Sequence, residues 1–329
     1  MSAKYVFGPI ASRRLGLSLG VDLVTRKTCT QDCPYCEAGW TTNLTLERKE
    51  YVPAAAVKAE LRSVLDSGPE IDFITFSGAG EPTLNSKIGE IVDFIKDEYP
   101  QYSLCLLTNG SLLGDPEVAA EVSRVDLIIP NLDASSEEEF KKINAPAPGL
   151  TFNRFFSGLE NFTNHFTGRI FLEIFIAPGI NDSAASIERF VELIKRLKVE
   201  KVQLNTLDRP GCDATIIPAP AETVKRFVRA IEPVIPVEAV GSFRYKSPSL
   251  RGEMPKDELA SAIMAMASRR QVTREDLLEA LNVDSHTLEQ ALKELLHLGV
   301  IESERGARGE FFGFFKYALG FNRRHFVQK

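Results

Sequence analysis

Six short apolar or β-branched runs, at 19–24, 71–77, 103–108, 125–130, 170–176 and 201–206, alternate with amphipathic stretches at 54–67, 86–98, 116–123, 135–143, 153–165, 183–197 and 221–231. A helix between two strands carries the chain back to the edge it started from, so successive strands lie parallel with the helices as crossovers. The predicted fold class is therefore α/β. Six such units form a partial or full barrel, or a doubly wound sheet, and periodicity alone does not choose between them.

The pattern changes after residue 245. Residues 246–255 are rich in Pro, Ser and Gly without periodicity and read as a linker. Beyond them, 257–267 has apolar positions at Leu259, Ile263 and Met266, and Thr273 caps a helix over 274–281. Asp284 or Ser285 caps a third helix to Leu298, with Leu288, Leu292, Leu295 and Leu296 on one stripe and Gly299 as its stop. Runs at 300–304 and 310–315 make a hairpin. Three short helices and a hairpin resemble a winged helix-turn-helix. The expected organisation is a barrel over 1–245, a linker over 246–255 and a small domain over 256–329.

A net charge of −6 gives no global signature of nucleic-acid binding. The C-terminal tail differs, with Arg305, Arg308, Lys316, Arg323, Arg324 and Lys329 against one acid, Glu310. The third helix of the small domain exposes Ser285, His286, Glu289, Gln290 and Lys293, a face poor in arginine. A nucleic-acid contact, a peptide or protein contact and a purely structural role all stay open for this domain. No apolar run reaches the ~18 residues of a membrane helix, and the first residues lack the core of a signal peptide. Clustered thiols suit a reducing compartment, so a cytoplasmic protein without membrane contact is expected.

Three cysteines, Cys29, Cys33 and Cys36, follow the first strand in C-x3-C-x2-C spacing, and no fourth lies nearby. Structural zinc takes four closed ligands, and none of the histidines (His165, His286, His297, His325) is near this loop in sequence. A [4Fe–4S] cluster held by three thiolates keeps one iron open to a ligand. This spacing, with Tyr35 before the third cysteine, resembles the radical S-adenosylmethionine (SAM) superfamily. The resemblance favours an open, partial (β/α)6 TIM-like barrel. It implies two cofactors, a [4Fe–4S] cluster on Cys29, Cys33 and Cys36 and SAM on its fourth iron. It also implies a 5′-deoxyadenosyl radical that abstracts hydrogen from a substrate, and an external electron donor of flavodoxin or ferredoxin type.

Further segments match this family. Ser77-Gly78-Ala79-Gly80-Glu81-Pro82 follows the second strand and resembles the Gly-Gly-Glu-Pro motif that holds the SAM amino group, with Ala79 in place of its first glycine. Asn109, Asp133 and Glu173 follow or lie on later strands, at positions where family members touch SAM. Turn formation and a structural ion pair are their other readings. The opening segment, with Arg13 and Arg14 among glycines, resembles an uncharacterised subgroup distantly akin to the wybutosine-synthesis enzymes of tRNA modification. No cysteine precedes Cys29, however, so a second cluster and the tRNA substrate do not carry over. Arg13 and Arg14 are candidates for an anionic substrate, with solvated surface arginines as the other reading. Arg26 and Lys27, just before Cys29, would ease cluster reduction. Cys105 reads as a core thiol, and Cys212 as either a radical relay in the loop after the sixth strand or an ordinary loop cysteine. The alternative to an enzyme is an iron–sulfur redox regulator that binds DNA through the winged helix.

Overall fold

The computed structural model describes residues 5–240 and 256–313, apart from 13, 210, 269–270, 282 and 307–308. The proposed linker and the basic tail beyond residue 313 lie outside the described residues, as does Arg13. The strands are β1 (Val6–Ser12), β2 (Gly16–Val21), β3 (Thr28–Cys29), β4 (Asn43–Leu44), β5 (Phe73–Phe76), β6 (Ser103–Thr108), β7 (Leu127–Pro130), β8 (Arg169–Phe175), β9 (Lys201–Asn205) and β10 (Val237–Ala239). Helices α1 (Ala54–Leu65), α2 (Ile88–Glu98), α3 (Pro116–Glu121), α4 (Glu137–Ile143), α5 (Phe152–His165), α6 (Ala184–Ile194) and α7 (Ala221–Ile231) connect them.

The main sheet has eight strands in the order β1-β2-β5-β6-β7-β8-β9-β10, parallel from β2 to β10, with β1 antiparallel to β2. Six strands were expected; β1 and β10 are additional. β1 contains Gly8 and Pro9, which interrupt any apolar run there. Proline is tolerated on an edge strand, where its missing N–H leaves no ladder gap, and the β1–β2 register shifts between Phe7 and Ile10. β10 has only three residues, too few for a periodicity to show.

Burial is divided between the two faces of the sheet. Ile74, Phe76, Leu104, Leu106, Leu172 and Leu204 join the large core with the helices. The opposite face carries a separate small cluster, Cys105, Leu127, Ile129 and Phe171, and what fills it is Leu15 from the β1–β2 turn. Helices therefore cover one face only, and a turn plugs the other. This is the mostly parallel sheet of a partial barrel rather than a doubly wound sheet.

The C-terminal part comprises α8 (Lys256–Ala267), β11 (Val272–Thr273), α9 (Arg274–Leu281), α10 (Ser285–His297), β12 (Glu302–Gly306) and β13 (Gly309–Gly313), with an antiparallel sheet ordered β11-β13-β12. Thr273 caps α9 through the Asp276 N–H at 3.1 Å and Asp276 accepts in return from the Thr273 N–H at 3.0 Å. Asp284 caps α10 through the Thr287 N–H at 2.9 Å. Its core of Leu259, Ile263, Leu277, Leu288, Leu292 and Phe312 takes in Ile10 of β1, with Phe7 packed beside it. The edge strand of the main sheet is thereby covered.

Candidate active site

The cysteine loop leaves the C-terminal end of β2, the end at which parallel α/β proteins build their sites. Two short strands pin its ends, β3 pairing with β4. The Thr41 N–H donates to Asp32 at 2.5 Å, the Asp32 N–H to the Asn144 carbonyl at 3.1 Å, and the Ala147 N–H to the Thr30 carbonyl at 2.9 Å. The loop is thus held from the β5 side, by its own return strand and by the segment after α4.

The segment Ser77–Pro82 closes on it. Gly78 has a φ of +146°, a conformation that favours glycine, and a Cβ there would stand 2.5 Å from the Asp22 carboxyl carbon. A Cβ on Gly80 would lie 1.7 Å from the Thr28 carbonyl oxygen. The Ala79 N–H donates to Asp22 at 3.2 Å and the Glu81 N–H to the Thr28 carbonyl at 3.1 Å. Buried Glu81 accepts from the Thr83 and Thr108 hydroxyls at 2.6 and 2.7 Å and from the Asn109 N–H at 2.8 Å. Burial raises its pKa, against these bonds. Glu81 therefore holds the loops together, and Pro82 begins a short 3₁₀ turn, Pro82–Leu84. Among the described residues no hydrogen bond reaches the carbonyls of Gly78, Ala79 and Gly80, which can therefore meet a ligand amine, while the Ser77 N–H donates to the Val21 carbonyl at 3.1 Å.

Each cysteine sulfur faces one N–H donor. Lys27 Nζ is 3.1 Å from Cys36 Sγ, Asn109 Nδ2 is 3.5 Å from Cys29 Sγ, and Asn144 Nδ2 is 3.7 Å from Cys33 Sγ. Burial pushes the Cys29 thiol up to about 11, partly offset by Lys27, and it raises the Cys33 thiol well above its ordinary value, with help from Cys29 and Cys36. For Lys27, burial alone would lower the pKa, but the cysteine sulfurs, Cys36 first, raise it above its usual value.

Tyr35 stacks on Phe175 with ring centroids 3.9 Å apart, and its hydroxyl donates to Asp133 at 2.5 Å. Asp133 also accepts from Asn144 Nδ2 at 3.0 Å, the Phe175 N–H at 2.9 Å and Asn131 Nδ2 at 3.3 Å. Burial raises its carboxyl to about 6. Both oxygens of Asp133 are occupied, so its place in the site is to orient Tyr35 and Asn144. Glu173 pairs with Arg14 at 2.5 Å and accepts from Asn205 at 3.2 Å, the ion-pair reading of that residue.

Cys105 is fully buried among Leu15, Leu127, Ile129 and Phe171. Cys212 lies elsewhere: its Sγ–H donates to the Cys36 carbonyl at 3.1 Å. It belongs to the loop after β9, which clasps the cysteine loop at several points. The Asp213 N–H donates to the Pro34 carbonyl at 2.9 Å, and a Cβ on Gly211 would stand 2.9 Å from the Tyr35 carbonyl. Arg209, 2% exposed, pairs with Glu37 at 3.4 Å and with Asp276 of α9 at 2.7 Å. The Arg26 guanidinium donates to the Ser268 carbonyl and, at 3.2 Å, to the Ala38 carbonyl. Sequence reasoning missed Asn144 and Arg209. Asn144 reads as a mere helix end, since it is the C-cap of α4, and Arg209 as a loop arginine.

Among the described residues no three His, Cys, Asp or Glu side chains converge on the position of one metal ion. A cluster takes one thiolate per iron, so its ligands stand farther apart than those of a single ion. The donor set of three thiols, each met by an N–H, fits such a cluster.

A parallel sheet with a three-cysteine loop after one strand and a glycine-rich turn after its neighbour, both at the strands' C-terminal ends, is the layout of a radical SAM protein. The model of the Radical SAM superfamily matches residues 23–197, more than half of the sequence, and the chain belongs to that superfamily. It is 30% identical over 305 residues to a Brachyspira hyodysenteriae protein named GTPase Obg, covering 92% of this chain but only 44% of that relative. It is 29% identical over 294 residues to a UPF0026 protein of Methanocaldococcus jannaschii, covering 88% of this chain and 90% of the relative. A radical SAM methyltransferase of Sphaerobacter thermophilus matches in structure with a TM-score of 0.55 and 20% identity, over 69% of this chain and 67% of that one, a likeness of fold. Kinship with the wybutosine enzymes stays with the motif resemblance alone. No helix among the described residues is long and apolar enough to cross a membrane.

Proposed function

We propose that this chain is a radical SAM enzyme in which Cys29, Cys33 and Cys36 hold a [4Fe–4S] cluster by three irons. The observation that carries this reading is the set of N–H donors, Lys27, Asn109 and Asn144, one on each sulfur. Iron-bound thiolates are negative and take such bonds, and these bonds tune reduction potential. When bound, the cluster and SAM supply reductive cleavage to a 5′-deoxyadenosyl radical that takes hydrogen from a substrate. The chain's own part is placement. The carbonyls of Gly78, Ala79 and Gly80 would meet the SAM amino group, Glu81 fixes the turn that carries them, Asp133 holds Tyr35 of the cysteine loop, and Tyr35 on Phe175 walls the mouth against water. A flavodoxin or ferredoxin type donor would reach the cluster past Trp40 and Leu44, exposed apolar side chains on the cysteine loop and its return strand.

The C-terminal part, with its helices and β11-β13-β12 sheet, reads as a winged helix whose role is substrate recognition. Among its described residues, exposed acids (Glu275, Asp284, Glu294, Glu302 and Glu304) outnumber exposed Lys and Arg (Lys293 and Arg305). Arg274 is tied to Glu289 and Glu310, and Glu302 and Glu304 are exposed. Such a face favours a peptide or protein over a phosphate backbone, and it weakens the DNA-binding regulator.

Anaerobically reconstituted protein should hold about four irons per chain and, with dithionite, convert SAM to 5′-deoxyadenosine. Cys33→Ala should lose both while keeping its far-ultraviolet circular dichroism. Protein that loads its cluster but yields no 5′-deoxyadenosine would leave the redox regulator standing and the enzyme reading refuted.

A further inference from the structure

Asn144, 3% exposed at the C-cap of α4, meets the cysteine loop with both its backbone and its side chain. Its carbonyl and that of Ala145 share the Asp32 N–H at 3.1 Å each, and the Ala147 N–H donates to the Thr30 carbonyl at 2.9 Å. Between these bonds Gln31 and Pro146 form an antiparallel bridge. The turn that makes this contact is strained. Ala145 has a φ of +40°, the only positive φ outside glycine among the described residues. A side chain takes that conformation only where its surroundings fix the backbone, and such strain gathers at functional sites.

The Asn144 amide has two N–H hydrogens and three acceptors. Nδ2 lies 3.0 Å from Asp133 Oδ2, 3.2 Å from Gln31 Oε1 and 3.7 Å from Cys33 Sγ. Turned over, the amide would set its oxygen against those of Asp133 and Gln31, so the network fixes this orientation. Asp133 Oδ2 also accepts from the Tyr35 hydroxyl at 2.5 Å, so Tyr35 and Asn144 draw on one oxygen. The second amide hydrogen is left to Gln31 and Cys33. As a free thiol, Cys33 itself donates to Gln31 Oε1 at 3.5 Å. As an iron-bound thiolate it has no proton to give and is the charged acceptor of the two, so it takes the Asn144 N–H.

We propose that Asn144 is a positioning residue that couples the Tyr35 wall of the mouth to the cluster through Cys33. The turn at Ala145 mounts the amide, Asp133 aims it, and its N–H stabilises the negative charge on the sulfur. Tyr35 acts on Cys33 at one remove. An Asp133 oxygen relieved of the hydroxyl would draw the amide toward itself and off the sulfur. The inference rests on the radical SAM reading.

The test is a potentiometric titration of the full chain, cluster-loaded and anaerobic, followed by electron paramagnetic resonance. Asn144→Ala keeps the backbone carbonyl that seats the loop, so the chain should still take up iron. Its reduction equilibrium should fall about tenfold, a shift of ~60 mV to lower potential. Tyr35→Phe keeps a ring to stack on Phe175. It should lower the equilibrium about threefold in the wild-type chain and no further in Asn144→Ala, the mark of coupling in a double-mutant cycle. An unchanged potential in Asn144→Ala overturns the inference, and so does a Tyr35→Phe shift of equal size in both backgrounds. If Asn144→Ala takes up no iron, hyperfine spectroscopy of the wild type with isotope-labelled asparagine amides decides. Couplings from two nitrogens, those of Asn109 and Asn144, are expected, and a single one overturns the inference. Wild-type protein that binds no iron brings down the radical SAM reading itself, whereas a loaded cluster indifferent to Asn144 brings down only the coupling.

Discussion

At the scale of single residues, the site is decided by what surrounds the sulfurs. Lys27 is buried, yet its ammonium stays charged because Cys36 and Cys29 lie beside it. A cation there favours the more negative, reduced cluster. Lys27→Met should therefore lower the midpoint potential by roughly 60 mV, the one-electron equivalent of a tenfold change in equilibrium, in a titration followed by electron paramagnetic resonance. An unchanged potential would show that the cluster does not feel the ammonium. Cys105 is the opposite case. Burial raises its pKa with no cation close enough to reverse the effect, and a thiol is inert until ionised. Iodoacetamide on the native, cluster-free protein should leave Cys105 unlabelled until denaturant is added, and labelling at the rate of Cys212 would contradict its packing.

At the scale of elements, the barrel strands hold the loops, and the loops hold one another through backbone contact. Gly80 is the tightest of these contacts. The atom that a Cβ would meet is the Thr28 carbonyl, which cannot swing away as a side chain can. Gly80→Ala should cost about 1–3 kcal/mol by overpacking, seen in urea unfolding, and should lower iron content, because Thr28 adjoins Cys29. Ser183 offers the comparison. It caps α6 through the Ser186 N–H at 3.0 Å and makes none of the hydrogen bonds described for the cysteine loop. Ser183→Ala should cost about 1 kcal/mol with iron content at the wild-type level. Equal iron loss in both variants would mean that loading follows global stability rather than the seat of the loop.

Across the whole molecule, the C-terminal part is tied to the chemistry by Arg209, which joins Asp276 of α9 to Glu37, one residue past Cys36. Removing a buried partner from an ion pair leaves charge uncompensated and typically costs 3–5 kcal/mol. Asp276 and Glu37 keep some exposure, so Arg209→Met should fall near the lower bound, at about 3 kcal/mol. The same variant should broaden the cluster's resonance signal, since the tie from α9 through Arg209 to Glu37 is then lost, while Arg209→Lys restores part of both. A signal identical to wild type would separate the small domain from the cluster loop. Ile10 of the main sheet also lies in the core of the C-terminal part, a second tie between the two.

Much of this was legible in the chain itself. The βα periodicity carried the parallel sheet, since strand direction follows from crossover length, and the cysteine spacing carried the cluster loop, since metal chemistry demands those residues close together. The Gly80-Glu81-Pro82 turn could be placed for the same local reason. What the sequence could not settle is everything that depends on which distant side chains meet. β1 hid behind Gly8 and Pro9 because its strand character comes from pairing with β2. Asn144 and Arg209 carry no motif, because their partners lie more than a hundred residues away along the chain in Cys33 and Glu37. Arg14 and Glu173 each allowed a ligand-binding reading beside a structural one, and only the fold shows that they pair with each other. A charge seeks its partner through space, and tertiary structure alone decides which one it finds.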